Sequence, residues 1–165
     1  MKALRNAIGL LVLCLFAVPL KAQEHSTMKQ HGSQEHIMLN PDRFEWKDGP
    51  MSLPKGARFA ILEGDPSKEG PFTLRVMVPA NYKIPPHWHP AVEHVTVLKG
   101  SIYMGAGEKL DMSKATKISE GGLAVMPIKF IHYAFTTEEA TIQLHGIGPW
   151  DIIYVNPKDD PRQAK

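Results

Sequence analysis

The stretch that decides the fold is PPHWHPAVEHVTVLKG, at residues 85–100. Alternate side chains of an extended strand share a face, with their Cα atoms roughly 6.5 Å apart, so His87 and His89 project to the same side. Trp88 points to the opposite side, and the two imidazoles can therefore converge on one metal ion. Pro90 ends this pairing run, and a chain that turns there can bring Glu93 back as a carboxylate ligand at the start of the next strand.

A second informative stretch is GGLAVMPIKFIHYAFT, at residues 121–136. In it Pro127 closes one strand, and His132 opens the next and supplies a third imidazole from a distant part of the chain. Nitrogen and oxygen donors together suit a divalent first-row metal ion. The predicted metal ligands are therefore His87, His89, Glu93 and His132.

From Ile37 onward the chain consists of short β-like runs broken by turn residues that include Gly and Pro. None of these runs shows a convincing helical period over a dozen residues. The predicted strands are residues 58–62, 72–78, 82–89, 94–98, 101–104, 123–126, 132–136, 141–145 and 152–155. This regularity predicts an all-β antiparallel sandwich or barrel, whose closure or second sheet protects exposed strand edges.

The two stretches resemble the two motifs of the cupin superfamily. The first motif, H-x-H, three residues, E, six residues, G, is matched in full and ends at Gly100. The second motif, G, five residues, P-x-G, two residues, H, three residues, N, is matched at its first Gly, its Pro and His132. It departs at Lys129, where the family usually has Gly and where a positive φ is costly for Lys. It also departs at Thr136, where the family often has Asn.

The resemblance covers roughly residues 72–154, and the whole pattern is similar to small exported single-domain bacterial cupins. It implies a double-stranded β-helix, or jelly-roll, cupin barrel with a metal near its mouth that three His and one Glu hold. It also implies frequent dimerisation, so a homodimer is expected. It does not imply one activity, because the same fold hosts dioxygenases, isomerases, decarboxylases, sugar binders and sensors.

The N-terminus is typical of a secretory signal peptide. Lys2 and Arg5 precede an almost unbroken apolar run at residues 7–20, and the small residue Ala22 precedes a polar run. Residues 1–22 are therefore predicted to be a signal peptide that is cleaved after Ala22, and the protein is predicted to be exported to the periplasm or the cell exterior. An uncleaved anchor is the alternative, although the apolar run is short for a membrane span.

Cleavage changes the charge and the cysteine count. The full chain of 165 residues has 19 basic and 17 acidic residues and a net charge of +2, and loss of three basic residues makes the net charge −1. No segment clusters Lys and Arg, so nucleic acid and, after cleavage, a membrane are not expected as partners. Cys14 leaves with the signal peptide, which excludes disulfides and cysteine catalysis.

The mature chain is predicted to have three parts. Residues 23–36 are polar, contain His25, His31 and His36, and are predicted to form a flexible leader. The histidine spacing fits no fixed ligand template, and whether this leader binds metal stays open. One cupin barrel is predicted over residues 37–157, and a polar, solvated tail over residues 158–165.

The metal is predicted to be Fe, Mn, Ni or Zn. The first three fit an open octahedral site with two free positions, whereas zinc with four protein ligands tends towards a closed tetrahedral site. Val95 and Val97 share a strand face with Glu93 and are predicted to form the apolar floor of a pocket. Further candidate pocket residues, whose faces the sequence leaves open, are Tyr103, Met104, Phe135, Gln143 and His145. Tyr103 and Phe135 are alternatively core aromatics, and His145 a structural histidine, while Trp150 is expected to plug a barrel end or an interface.

These features predict a metal-binding protein with a small-molecule ligand. The enzyme hypothesis is a metal-dependent oxidoreductase, of dioxygenase type, that acts on a small oxygenated organic molecule. The alternative is a non-catalytic module that binds or senses a metal or a small molecule. A structural barrel with a relic site is the third reading.

Overall fold

The computed structural model describes residues 36–163, and the predicted signal peptide and residues 23–35 of the leader lie outside them. The described residues form two antiparallel sheets. Strands are numbered along the chain. Across the first sheet they are β1 (Lys47–Asp48), β2 (Arg58–Glu63), β3 (Gly70–Val78), β10 (Ala140–Gly148), β5 (Glu93–Lys99) and β8 (Leu123–Met126). Across the second they are β11 (Ile153–Tyr154), β4 (Lys83–Trp88), β9 (His132–Phe135), β6 (Ser101–Ala106) and β7 (Thr116–Ser119).

Strand alternation builds the core between the two sheets. In β3 every second residue from Phe72 to Val78 is buried, and in β5 Val95 and Val97 follow Glu93 on the inner face. Ile142 and Leu144 do the same in β10, whose partners are β3 and β5. The inner faces therefore form one apolar core, and neighbours in each sheet are often distant in sequence. This architecture is the predicted jelly-roll cupin barrel, and the all-β fold class is confirmed.

The nine predicted strands are all present, and their ends differ from the prediction by at most three residues. Two further strands, β1 and β7, were not predicted from the sequence. Both are short, and their residues are exposed apart from the half-exposed Ile118. Strand prediction depends on the alternation of apolar and polar residues, which arises where one face of a strand is buried and the other is exposed. β1 and β7 are short and largely exposed on both faces, so their sequences show little of this alternation.

The end of the chain, predicted to be a solvated tail, is exposed at Lys158, Arg162 and Gln163 and also contacts the barrel. Two short 3-10 helices, at Pro157–Asp159 and Pro161–Gln163, follow the last strand. The Arg162 guanidinium donates hydrogen bonds to the Asp151 carboxylate and the Ile152 carbonyl, so this part of the tail is attached to the barrel. No helix among the described residues is long and apolar enough to cross a membrane.

Candidate metal centre

Three histidines and one glutamate meet at one end of the barrel. His87 lies in β4, and its partner across the sheet is His132, the first residue of β9. His89 follows β4 directly, and Glu93 is the first residue of β5 in the opposite sheet. The three imidazole ring centroids lie 4.3 to 5.1 Å apart, and all four side chains are buried. The fold therefore brings the four predicted ligands together.

Each of the three imidazoles is oriented by a backbone carbonyl that accepts a hydrogen bond from Nδ1. The acceptors are the carbonyls of Pro85 for His87 at 2.7 Å, Asp151 for His89 at 2.8 Å and Phe130 for His132 at 3.0 Å. Because Nδ1 is the donor, the lone pair of each ring is on Nε2. A histidine that ligates a metal is usually held by such a bond from its other ring nitrogen.

The Nε2 atoms face the Glu93 carboxylate. Its Oε2 lies 3.4 Å from Nε2 of His89 and 3.4 Å from Nε2 of His132, and neither of these buried nitrogens has a hydrogen-bond partner among residues 36–163. A buried polar atom without a partner is costly, and a cation between the donors removes that cost. A metal ion about 2.0–2.2 Å from each donor can bridge these separations.

The electrostatics keep the ligands in their metal-binding forms. Burial, together with the neighbouring His132 and His89, lowers the pKa of His87 from 6.5 to about 3. Burial alone would raise the pKa of Glu93, but the electrostatic interaction of its carboxylate with His89 and His132 overcomes that effect and holds the pKa well below 4.5. At neutral pH His87 is therefore a neutral imidazole and Glu93 is a carboxylate.

These residues fit a metal ion. His87, His89 and His132 each offer one donor atom, and these atoms lie within 4.8 Å of one another. The Glu93 carboxylate adds an oxygen donor on the same side. Three neutral nitrogens and one anionic oxygen suit Fe, Mn, Ni and Zn alike, so the donor set defines the class of metal rather than one element. A divalent ion held by this set keeps a net charge of +1.

A cavity of about 230 Å³ reaches from the four ligands into the barrel. Its walls are mostly apolar, and two of its polar side chains are already committed, because the hydroxyls of Tyr82 and Thr136 donate to the carbonyls of Pro54 and Pro79. The apolar part of the wall includes Leu53, Leu74, Val76, Ile84, Val95, Ile102, Met104, Ala134, Ile142 and Leu144. The cavity accommodates a small, largely apolar molecule whose polar end faces the ligands.

The predicted pocket residues divide between the two faces of the sheets. Val95 and Met104 line the cavity from the inner faces, and Val97 shares their face but is fully buried in the core and does not reach it. Phe135 borders the cavity, but its side chain lies on the same face as Tyr103, its cross-strand partner. The expectation for the other three is not met. Tyr103 lies on the outer face of β6, where its ring stacks on Phe135 with centroids 4.9 Å apart.

Gln143 and His145 also lie on an outer face, because they alternate with the buried Ile142 and Leu144 in β10. The Gln143 amide oxygen accepts a hydrogen bond from Arg75 at 3.4 Å. His145 stacks on its cross-strand partner His94 with centroids 4.7 Å apart, and it does not line the cavity.

Sequence reasoning missed the residues that orient His89. The Trp150 ring is stacked on His89 with centroids 4.5 Å apart and an interplanar angle of 18°, and Trp150 also lines the cavity. The Asp151 carbonyl accepts the hydrogen bond from His89 Nδ1. Every residue has a carbonyl, so no sequence signal identifies this acceptor.

Lys129 takes the conformation that its position in the motif requires. Its φ is +60°, in the region that glycine adopts without strain, and its backbone N–H donates to the His89 carbonyl at 2.9 Å. Its ammonium group lies 5.9 Å from the centre of the Trp88 ring. The turn before His132 is therefore retained with a lysine, at a cost of about 1 kcal/mol in backbone strain.

The two sheets and the buried His and Glu ligand cluster define a cupin domain. Residues 34–150 match the family model described as the ChrR cupin-like domain, and the chain belongs to that family. No curated protein sequence matches the chain.

Solved structures share the fold at low sequence identity. The polyketide cyclase RemF from Streptomyces resistomycificus has a TM-score of 0.65 and 16% identity, over 78% of this chain and 92% of that chain. A protein from Methylibium petroleiphilum PM1 assigned as an acetylacetone dioxygenase has a TM-score of 0.59 and 19% identity, over 77% and 85%. An RmlC-like cupin from Shewanella frigidimarina has a TM-score of 0.55 and 12% identity, over 68% and 90%. Similarity at 12–19% sequence identity shows the fold alone, so the reaction must be inferred from the residues of the site.

Proposed function

We propose that the protein is a metal-dependent oxidoreductase of dioxygenase type that acts on a small oxygenated organic molecule. The observation that carries the proposal is the opening of a buried three-His, one-Glu centre onto an apolar cavity of about 230 Å³. A polar substrate-binding surface would instead suit a charged sugar or a nucleotide. The ligand cluster supplies one polar end for the substrate, and the walls accept its apolar body.

A divalent metal bound here would supply coordination positions for two substrate oxygens or for substrate and dioxygen. The protein residues have three tasks beside it. The Nδ1 bonds to backbone carbonyls hold the imidazoles in place, the Glu93 carboxylate offsets part of the metal charge, and the apolar walls exclude bulk water. In a dioxygenase reaction that cleaves its substrate oxidatively, both oxygen atoms enter the product and the substrate supplies all four electrons, so no external reductant is consumed.

The similarity of the barrel to the protein assigned as an acetylacetone dioxygenase guides the choice of substrates. The test loads the purified protein with Fe²⁺ without oxygen and then measures oxygen uptake with acetylacetone, other small diketones, catechols and thiols. We expect uptake with at least one class, at one dioxygen per substrate consumed. Oxygen uptake without substrate loss contradicts the proposal, because it reports oxidation of the metal alone.

Two histidine variants form a matched pair for this assay. His132→Gln removes a ligand and is expected to abolish uptake, whereas His145→Gln changes a histidine on the outer face of β10 and is expected to leave it unchanged. Metal binding with no turnover across the whole panel supports the alternative, a non-catalytic binding or sensing module. Protein that binds no added metal contradicts both readings and leaves a structural barrel.

We also propose that the protein is exported after cleavage of residues 1–22. The basic start, the apolar run and Ala22 support this proposal. Expression of the full chain in a bacterial host is expected to give periplasmic protein whose first residue is Gln23. Intact cytoplasmic protein that begins at Met1 contradicts it.

A further inference from the structure

One of the three histidines depends on a distant part of the chain for its orientation. His87 and His132 donate from Nδ1 to carbonyls only two residues before them, so their own strands fix these bonds. His89 donates to the carbonyl of Asp151, which is 62 residues away. The position of that carbonyl therefore decides how the His89 ring points.

The acceptor lies in a segment outside the strand pairing. β10 ends at Gly148 and β11 begins at Ile153, so Asp151 belongs to the connection between them. Trp150, its neighbour in this connection, stacks on the His89 ring and is held by a hydrogen bond from its backbone N–H to the Pro66 carbonyl at 2.7 Å. The rest of the connection between β10 and β11 must therefore be held by contacts other than the backbone hydrogen bonds of the sheets.

Arg162 provides those contacts from the C-terminal end. Its Nη1 donates to both carboxylate oxygens of Asp151 at 3.2 and 3.1 Å, and its Nη2 donates to the Ile152 carbonyl at 2.8 Å. Its Nε donates to the Asp160 carboxylate, which fixes the guanidinium from the other side. A guanidinium held by several charge-assisted bonds is a rigid brace, unlike a single exposed ion pair.

We propose that Arg162 is a positioning residue for the metal ligand His89, which it orients through Asp151. This inference rests on the proposed metal centre. Arg162 fixes the connection on both sides of the Asp151 carbonyl, and that carbonyl fixes the imidazole ring so that Nε2 faces Glu93. The tail predicted to be solvated thus completes the metal centre.

The test measures the affinity of the full chain for Co²⁺, a spectroscopically visible first-row ion, by competition with a chelator. Loss of a hydrogen-bond partner of a metal ligand costs 10–100-fold in affinity, and Arg162 acts one step further out. We therefore expect Arg162→Gln and Asp151→Asn each to raise the Kd for Co²⁺ by about tenfold. Lys99→Gln is the matched control, because it removes an exposed ion pair, with Glu139, that touches no ligand.

The double variant separates positioning from general stability. If both residues act on His89 through one path, Arg162→Gln combined with Asp151→Asn raises the Kd by about the same tenfold as either change alone. The Co²⁺ absorption spectrum should change in the same way in all three variants, whereas a merely structural loss lowers the melting temperature and leaves the spectrum intact. If Arg162→Gln does not fold, Asp151→Asn, which keeps the backbone and the side-chain size, gives the decisive comparison with Lys99→Gln.

Two results overturn the proposal in distinguishable ways. Wild-type affinity and spectrum in Arg162→Gln and Asp151→Asn show that His89 keeps its orientation without the brace, while the metal centre itself stands. Wild-type protein that binds no Co²⁺ removes the metal centre and this inference together.

Discussion

The buried neutral state of His87 predicts that the metal-free protein loses stability when the pH falls from 7 to 5. His87 is only 3% exposed, and burial beside His132 and His89 lowers its pKa from 6.5 to about 3. In the unfolded chain the same side chain takes up a proton near pH 6.5. Below that pH the unfolded state binds more protons than the folded state, so acidification favours unfolding.

The magnitude follows from the two pKa values. Each unit of pKa difference is worth about 1.36 kcal/mol, and the loss accumulates from pH 6.5 downwards until the pH approaches 3. Since pH 5 lies about one and a half pH units below the pKa of this side chain in the unfolded state, the free energy of unfolding at pH 5 is lower than at pH 7 by about 2 kcal/mol. Glu93 has a lowered pKa and an ordinary value of 4.5, so its own loss begins only at lower pH.

Urea unfolding at pH 7, 6 and 5, in the presence of a chelator, measures this effect. His87→Gln is the control, because glutamine fills a similar space and does not titrate. We expect the free energy of unfolding of the wild type to fall by about 2 kcal/mol more than that of the variant between pH 7 and 5. Equal losses within about 0.5 kcal/mol refute the reasoning, because they show that His87 is protonated in the folded state or exposed.

Three further predictions concern the ligands, the turn and the cavity. Glu93→Gln removes the anionic ligand. Loss of a hydrogen bond to a metal ligand raises the Kd for the metal by roughly 10–100-fold, and loss of the ligand itself should raise the Kd for Co²⁺, measured by calorimetry, by more than that. Lys129→Gly should raise the free energy of unfolding by about 0.5–1 kcal/mol in urea because it relieves a positive φ, whereas Lys129→Ala should not. Ala134→Leu fills cavity space on the inner face of β9. The oxygen uptake of this variant should therefore fall at least tenfold below that of the wild type, while its Kd for Co²⁺ stays within twofold of the wild-type value. Oxygen uptake at the wild-type rate would show that the substrate binds elsewhere.

The all-β fold class and the ligand cluster could be predicted from the sequence because both depend on local patterns. The spacing of His87 and His89 is the period of a strand, and the proline after them predicts the turn that returns Glu93. His132 required a second stretch, and it was found because a strand boundary marks its start. Local patterns therefore predict these four residues and an antiparallel sandwich or barrel, and the resemblance to the cupin motifs implies the jelly-roll barrel.

The pocket was harder to predict, for two different reasons. In β10 the signal was present, since Ile142 and Leu144 alternate with Gln143 and His145 and the apolar pair faces the core. In β6 the signal was weaker, because Tyr103 carries an aromatic ring that a core also accepts, so its place between Ile102 and Met104 does not by itself decide its face.

The brace on His89 illustrates a limit of a different kind. It joins Arg162 to Asp151 and Asp151 to His89, and the last of these bonds uses a backbone carbonyl that has no signature in the sequence. A charged C-terminal segment is usually solvated, so composition favoured the tail reading. Only the folded arrangement places the solvent-facing Arg162 within hydrogen-bond distance of Asp151, the contact on which the proposed positioning role rests.

At the candidate metal centre, the features that favour metal binding lower the stability of the metal-free protein. In the metal-free protein burial keeps His87 neutral, at a cost in stability that grows with acidity. The carbonyls of Pro85, Asp151 and Phe130 hold the three rings, and rings held in this way lose little freedom when a metal binds. The same buried, oriented donors therefore lower the stability of the metal-free protein and raise its affinity for a metal. Substitutions that stabilise the metal-free barrel at these positions should consequently weaken metal binding.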